Sequence, residues 1–121
     1  MSAQSSERRT RRSQSHATAL RFQLESTLQK GRMDAVALVD QRGLLVAWAG
    51  SDDVCEELGA MAPAVAQRSA RGGEAQKDDM AVRAIDCFGE PLYLAVLGGG
   101  VARDALLSHS AKGIHRILTA N

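Results

Sequence analysis

The segment from Asp34 to Gly50 constrains the fold of this chain more than any other part of its sequence. Two apolar runs, DAVALVD and LLVAWAG, flank the glycine-containing turn Gln41-Arg42-Gly43, a pattern typical of a β-hairpin. In the first run both alternating sets of residues are apolar. Because a strand that is apolar on both faces is buried on both faces, we expect helices on both sides of an antiparallel sheet.

Hydrophobic periodicity predicts the other elements. Leu20, Leu24 and Leu28 recur every four residues and indicate a helix that ends at Gly31. The elements predicted after the hairpin are a helix at about 52–71, strands at 79–87 and 91–97, and a helix at about 102–120. A short extra edge strand near 74–78 is left open. The predicted fold is α/β (α+β): a central antiparallel sheet of 4–5 strands with helices on both faces, in the order α-ββ-α-ββ(β)-α.

Residues 1–15 differ in composition from the rest of the chain. They lack hydrophobic periodicity and are rich in Ser, Arg and Gln, which predicts a disordered basic tail before a single domain at 16–121. The arginines between Arg8 and Arg12 would suit an acidic lipid, nucleic acid or acidic protein, although an effect on solubility is the simpler interpretation. The remainder is mildly acidic, so we expect no nucleic-acid partner.

The sequence contains no cluster of reactive side chains that indicates catalysis. Cys55 and Cys87 form neither a disulfide framework nor a metal motif. His109 and His115 lie about 240° apart around a helix, so they share no ligand face. The glycines at 98–100 are not followed by Lys-Ser/Thr, which excludes a Walker-type phosphate loop. We therefore predict no enzyme, no cofactor and no metal site.

Two further patterns bear on location. No apolar run approaches the roughly 20 residues that a membrane-spanning helix needs. Residues 1–15 also lack the apolar segment of a secretory signal peptide. We expect a cytoplasmic protein without a membrane span.

The hairpin VALVDQRGLLVAWAG, the acidic-capped helix EELGAMAPAVA and the closing segment PLYLAVLGGGVARDALLSHSAKGIHRIL resemble bacterial members of the Roadblock/dynein light chain family. The resemblance covers about residues 17–119. It implies a non-catalytic homodimer, or a heterodimer with a related Roadblock subunit, whose second helices pack antiparallel and whose sheets join edge to edge. It also implies either a Ras-like small GTPase as partner, whose hydrolysis some bacterial members stimulate without catalytic groups of their own, or a scaffolding role.

Carried onto this chain, the resemblance places the dimer surface on the helix at 52–70 and on an edge strand near 74–86. Small residues on that helix would let a second backbone approach closely, with Gly59, Ala60 and Ala64 near the twofold axis. The residues predicted for the dimer or partner interface are Val54, Cys55, Leu58, Gly59, Ala60, Met61, Ala64, Val65, Arg68, Met80, Val82 and Ala84.

An alternative function for a sheet with flanking helices is a ligand-sensing module of the profilin/PAS-like kind. Such a module needs a cavity for its ligand. A sheet tightly filled by aliphatic side chains and Trp48 would count against it.

Overall fold

A computed structural model describes residues 2–68, 74–77, 79–100 and 102–120, with the backbone alone for 2–14 and 74–77. The chain forms three helices and five strands in these residues, in the predicted order with the optional third strand present. The elements are α1 (Ser2–Gly31), β1 (Met33–Val39), β2 (Leu45–Gly50), α2 (Asp52–Gln67), β3 (Glu74–Lys77), β4 (Met80–Cys87), β5 (Glu90–Gly98) and α3 (Arg103–Thr119).

The strands form one antiparallel sheet in the order β2-β1-β5-β4-β3. The apolar strand β5 lies at its centre, as its continuous hydrophobic run predicts. The open question near 74–78 is settled by β3, which pairs with Met80–Arg83 and forms one edge of the sheet. The predicted antiparallel sheet of 4–5 strands is therefore confirmed, with five strands.

Two buried layers explain why β1 is apolar on both faces. Val36 and Leu38 pack with residues of α1 and α3 on one side of the sheet. Ala35, Ala37 and Val39 pack with residues of α2 on the other side. All five are fully buried. Helices therefore cover both faces, as predicted, but two helices cover one face and α2 alone covers the other.

The turn between β1 and β2 is built around Asp40. Its Oδ1 accepts hydrogen bonds from the backbone N–H groups of Arg42 (2.8 Å) and Leu44 (3.0 Å). These bonds hold the pKa of the Asp40 carboxyl below its usual value, and the hydrogen bond from the Leu44 N–H has the largest effect. Gly43 has a φ of 85°, a conformation that glycine adopts without strain. The predicted hairpin turn is confirmed.

A buried pair of hydroxyl groups joins α1 and α3, the two helices on the side of the sheet opposite α2. The Thr27 hydroxyl of α1 lies 2.8 Å from the Ser110 hydroxyl of α3. Both residues are buried among aliphatic side chains. The pair satisfies two polar groups that the packing of α1 on α3 removes from water.

The N-terminal segment differs from our expectation. α1 begins at Ser2, so the backbone of residues 2–15 is helical where we predicted a disordered tail. No glycine or proline occurs between Ser2 and Lys30. The part of α1 after residue 15 is anchored by burial. The helix can extend from there towards its N-terminus at little cost, because nucleation rather than propagation is the costly step. A domain boundary at residue 16 and a binding role for Arg8–Arg12 stay predictions.

Candidate partner-binding surface

Helix α2 is positioned by contacts at its first turn. The backbone N–H of Cys55 donates to the Ser51 carbonyl oxygen at 2.9 Å, which starts the helical ladder. The indole Nε1 of Trp48 donates to Asp52 Oδ1 at 2.8 Å and ties strand β2 to the helix. Asp52 and Asp53 occupy the first turn, where the helix dipole favours negative charge.

Half of the predicted interface residues lie inside the protomer. On α2, Cys55, Leu58, Gly59 and Val65 are buried against the sheet, and on β4 both Met80 and Val82 are buried beneath them. Their contact with a partner stays a prediction, and the structure covers these side chains within the protomer. The physical reason is that α2 alone must cover one side of the sheet, so its larger apolar side chains point inward.

Gly59 illustrates this inward role. A Cβ at this position would lie 2.6 Å from Val39 Cγ1, a distance far below normal contact. A Cβ on Gly43 would lie 3.1 Å from the Gly59 carbonyl oxygen. The two glycines thus let α2 approach the hairpin closely, so Gly59 serves the packing of the protomer. Its place near a twofold axis stays a prediction.

Cys55 also serves the interior. Its thiol lies 3.4 Å from the carbonyl oxygen of Ala49 and 3.8 Å from that of Val36, as a weak donor. Burial raises the pKa of the Cys55 thiol above its ordinary value, which disfavours the reactive thiolate. The arrangement suits a packed core residue.

The outer face of α2 carries the remaining predicted residues of this helix. Ala60, Met61, Ala64 and Arg68 are exposed and Val54 is partly exposed. Met61 is the large apolar residue of this face, with 42% of its surface exposed. These positions form an apolar stripe along the outside of the helix. We call Val54, Ala60, Met61 and Ala64 the outer stripe.

Charge is distributed unevenly along the exposed surface of α2. The N-terminal turns carry four exposed carboxylates, and the C-cap residue Arg68 is exposed at the other end. The four carboxylates belong to Asp52, Asp53, Glu56 and Glu57. The outer stripe thus lies between an acidic end and a basic end.

Ala84, the last predicted interface residue, lies elsewhere. It is exposed on β4 and lines a groove between β4 and α3 instead of joining the outer stripe. The same groove is lined by His109, His115, Lys112 and Arg116. The two histidines, which the sequence placed on separate faces of the helix, thus border one groove that the sequence did not predict. The spacing of three and four residues between positions 109, 112 and 116 was the available signal, because it places them along one side of a helix.

The described residues offer little for metal or thiol chemistry. Among them, no group of three or more His, Cys, Asp and Glu side chains could hold a metal ion. Cys55 and Cys87 are both free thiols. No described helix is long and apolar enough to span a membrane.

The sequence of this chain matches no protein-family model and no curated protein. Solved structures nevertheless share its architecture. The gliding protein MglB of Thermus thermophilus superposes with a TM-score of 0.66 over 88% of this chain and 93% of its own, at 16% sequence identity. A Roadblock/LC7 domain from Streptomyces avermitilis superposes with a TM-score of 0.54 over 79% and 91%, at 14% identity.

The chain has the Roadblock/LC7 fold. Myxococcus xanthus MglB agrees, with a TM-score of 0.59, 83% and 87% coverage, and 13% identity. A further MglB structure is described as having a tetrameric arrangement. The predicted resemblance to Roadblock domains is therefore confirmed at the level of the fold.

Proposed function

We propose that this Roadblock-fold protein is a cytoplasmic, non-catalytic adaptor or regulator that works as a homodimer, or with a related subunit, and binds a Ras-like small GTPase or scaffolds a protein complex. The observation that carries the proposal is the outer face of α2, where the outer stripe is exposed between an acidic and a basic end. The family resemblance of the sequence supplies the class of partner.

Antiparallel packing of two α2 helices across a twofold axis would use this charge distribution. With Ala60 of one copy beside Met61 of a second copy, the register places Asp53 opposite Arg68 of that copy. A twofold interface forms each such contact twice. The small side chain of Ala60 would let the two helix backbones approach closely. The outer stripe therefore suits a self-complementary contact.

A shallow groove extends the outer stripe towards the sheet. It has a volume of ≈ 220 Å³ and two carboxylates in its lining, those of Glu57 and Asp79. The rest of its lining is apolar and consists of Val54, Leu58, Met61, Met80 and Leu97. Because α2 is the sole described helix on this face, the groove opens beside the outer stripe. A second copy of α2 would cover this apolar surface and remove it from water.

The packing of the sheet favours an adaptor over the ligand-sensing alternative. In the described part of the chain, aliphatic side chains such as Val36, Leu38 and Leu94 are fully buried in the sheet layers. Trp48 is not among them: it is 39% exposed and lines an open groove of ≈ 680 Å³ between α1 and β2. The grooves at α2 and at α3 are open to the surface. A sensor would instead need a cavity that encloses most of its ligand.

The first test is the solution mass by light scattering across a dilution series. We expect the wild-type protein to be a dimer and Ala60→Glu to be a monomer, because the introduced carboxylate would approach its symmetry mate. Ala105→Glu is the matched control, since Ala105 is an exposed helical alanine on α3. A monomeric wild type, or equal dissociation of both variants, would contradict the proposed dimer.

The second test measures the binding of a purified Ras-like GTPase loaded with a non-hydrolysable GTP analogue. We expect the wild type and Ala105→Glu to bind equally, and Ala60→Glu to lose binding together with the dimer. A monomeric variant that binds as tightly as the wild type would sink the idea that the GTPase recognises a surface formed by two copies.

A further inference from the structure

A second surface lies on the opposite side of the sheet from α2. It is a groove of ≈ 640 Å³ between strand β4, which lies next to the edge strand β3, and helix α3. Its floor is apolar, because Ile85 and Ala111 are buried there. The groove is separate from the outer stripe of α2.

Basic side chains surround this apolar floor. Arg83, Lys112 and Arg116 line the groove, and Asp86 is the one carboxylate among its lining residues. His109 and His115 add two ring nitrogen donors or acceptors on the same helix. We call this surface the basic groove. Its charge contrasts with the mildly acidic balance of the chain beyond residue 15.

The charges of the basic groove are available for a partner. Within the described residues, Lys112 and Arg116 are exposed and take part in no salt bridge. Arg83 is half-buried, and the sheet register places Glu74 of β3 opposite it. Lys112 and Arg116 are therefore the groups whose charge a binding experiment can test most directly.

The chemistry of the basic groove favours a protein segment over the other anionic partners. Nucleic acid binding commonly uses large aromatic side chains for base stacking, and no Phe, Tyr or Trp lines this groove. A membrane presents a broad surface to an amphipathic helix, whereas the apolar floor here lies within a concave groove. An amphipathic segment can place apolar side chains on Ile85 and carboxylates beside Lys112 and Arg116.

We propose that the basic groove binds an acidic amphipathic peptide segment of a partner protein. Apolar side chains of the segment contact the floor, and its carboxylates pair with the basic rim, which makes binding dependent on salt. The proposal is independent of the dimer contact proposed at α2, because the two surfaces lie on opposite sides of the sheet.

The test uses fluorescence anisotropy with three short labelled peptides, in which leucine alternates with glutamate, serine with glutamate, or leucine with lysine. We expect the leucine–glutamate peptide to bind most tightly and to weaken with added salt. The double variant K112A/R116A should bind it about tenfold more weakly, since two exposed charge pairs are lost. The matched control R21A/K30A removes two exposed basic residues of α1 and should change binding less than about twofold.

Several results would overturn the proposal. These are no saturable binding of the leucine–glutamate peptide, equal loss in both double variants, or tighter binding of a single-stranded oligonucleotide or of anionic lipid vesicles than of the peptide. A result from light scattering would also overturn it. If the wild type formed an oligomer larger than a dimer and K112A/R116A abolished that oligomer, the groove would bind a second copy of this chain instead. Lys112 and Arg116 are exposed, so we expect their replacement to leave the fold intact. Thermal melting of each variant checks this.

Discussion

The replacement Gly59→Ala tests whether this glycine serves the interior of the protomer or a dimer contact. The introduced methyl carbon would lie 2.6 Å from Val39 Cγ1 and 3.3 Å from Leu45 Cδ2. Val39 is fully buried and β-branched, so it has little room to move. We therefore expect Gly59→Ala to lower the free energy of unfolding while leaving the dimer dissociation constant unchanged.

Two opposing effects set the size of the change. Alanine is a better helix former than glycine by about 1 kcal/mol. Forcing an extra methyl group into a packed core costs about 1–3 kcal/mol. Because the contact of 2.6 Å is about 1 Å shorter than an optimal carbon–carbon contact, we expect the steric cost to exceed the helical gain. The net loss should be about 1 kcal/mol, or about 4 °C in Tm.

A double-mutant cycle with Val39→Ala tests whether the contact with Val39 causes the loss of stability. Val39→Ala alone should cost about 2 kcal/mol through lost burial and a cavity. In the double variant the new methyl group of Gly59→Ala occupies part of that cavity, so the combined loss should fall below the sum by about 1 kcal/mol. Urea denaturation at one protein concentration measures all four proteins, since dimerisation links stability to concentration.

The control is Ala105→Gly, the reverse exchange at an exposed helical position outside the proposed dimer contact. It should cost about 1 kcal/mol of helix propensity and show no coupling to Val39→Ala. If Gly59→Ala were as stable as the wild type, or if its effect added fully to that of Val39→Ala, the steric argument would be refuted. If it broke the dimer without affecting unfolding, Gly59 would belong to the interface after all.

Three further perturbations test other contacts of the fold. Because the folded-state pKa of Asp40 is lowered from 3.8, its carboxylate stabilises the fold above that pH, and the advantage over Asp40→Asn should vanish in acid denaturation as the pH falls below about 4. A thiol reagent should modify the half-buried Cys87 in the native protein and the buried Cys55 only after unfolding; equal rates would contradict the raised pKa and burial of Cys55. Thr27→Val should lower the free energy of unfolding by about 1–3 kcal/mol because it leaves the Ser110 hydroxyl buried without its partner, and adding Ser110→Ala should restore part of it; a fully additive loss in thermal melts would argue against the hydroxyl pair.

The sequence does not resolve which residues of α2 face outward and could contact a partner. The pattern on α2 could not separate the side of the helix that faces the sheet from the side that faces outward. Small residues occur on both sides: Gly59 is buried, whereas Ala60 and Ala64 are exposed. Which of them meets a neighbour depends on the rotation of α2 over the sheet, a tertiary property.

The sequence by itself determined the elements other than the edge strand β3, their order and the sandwiching of the sheet. Each of these follows from local signals: the period of the apolar residues, the turn at Asp40–Gly43, and a strand that is apolar on both faces. The basic groove and the helical extent of α1 were decided by tertiary structure. The groove needs residues of β4 and α3 that are distant in sequence, and α1 extends to Ser2 from a part that burial anchors.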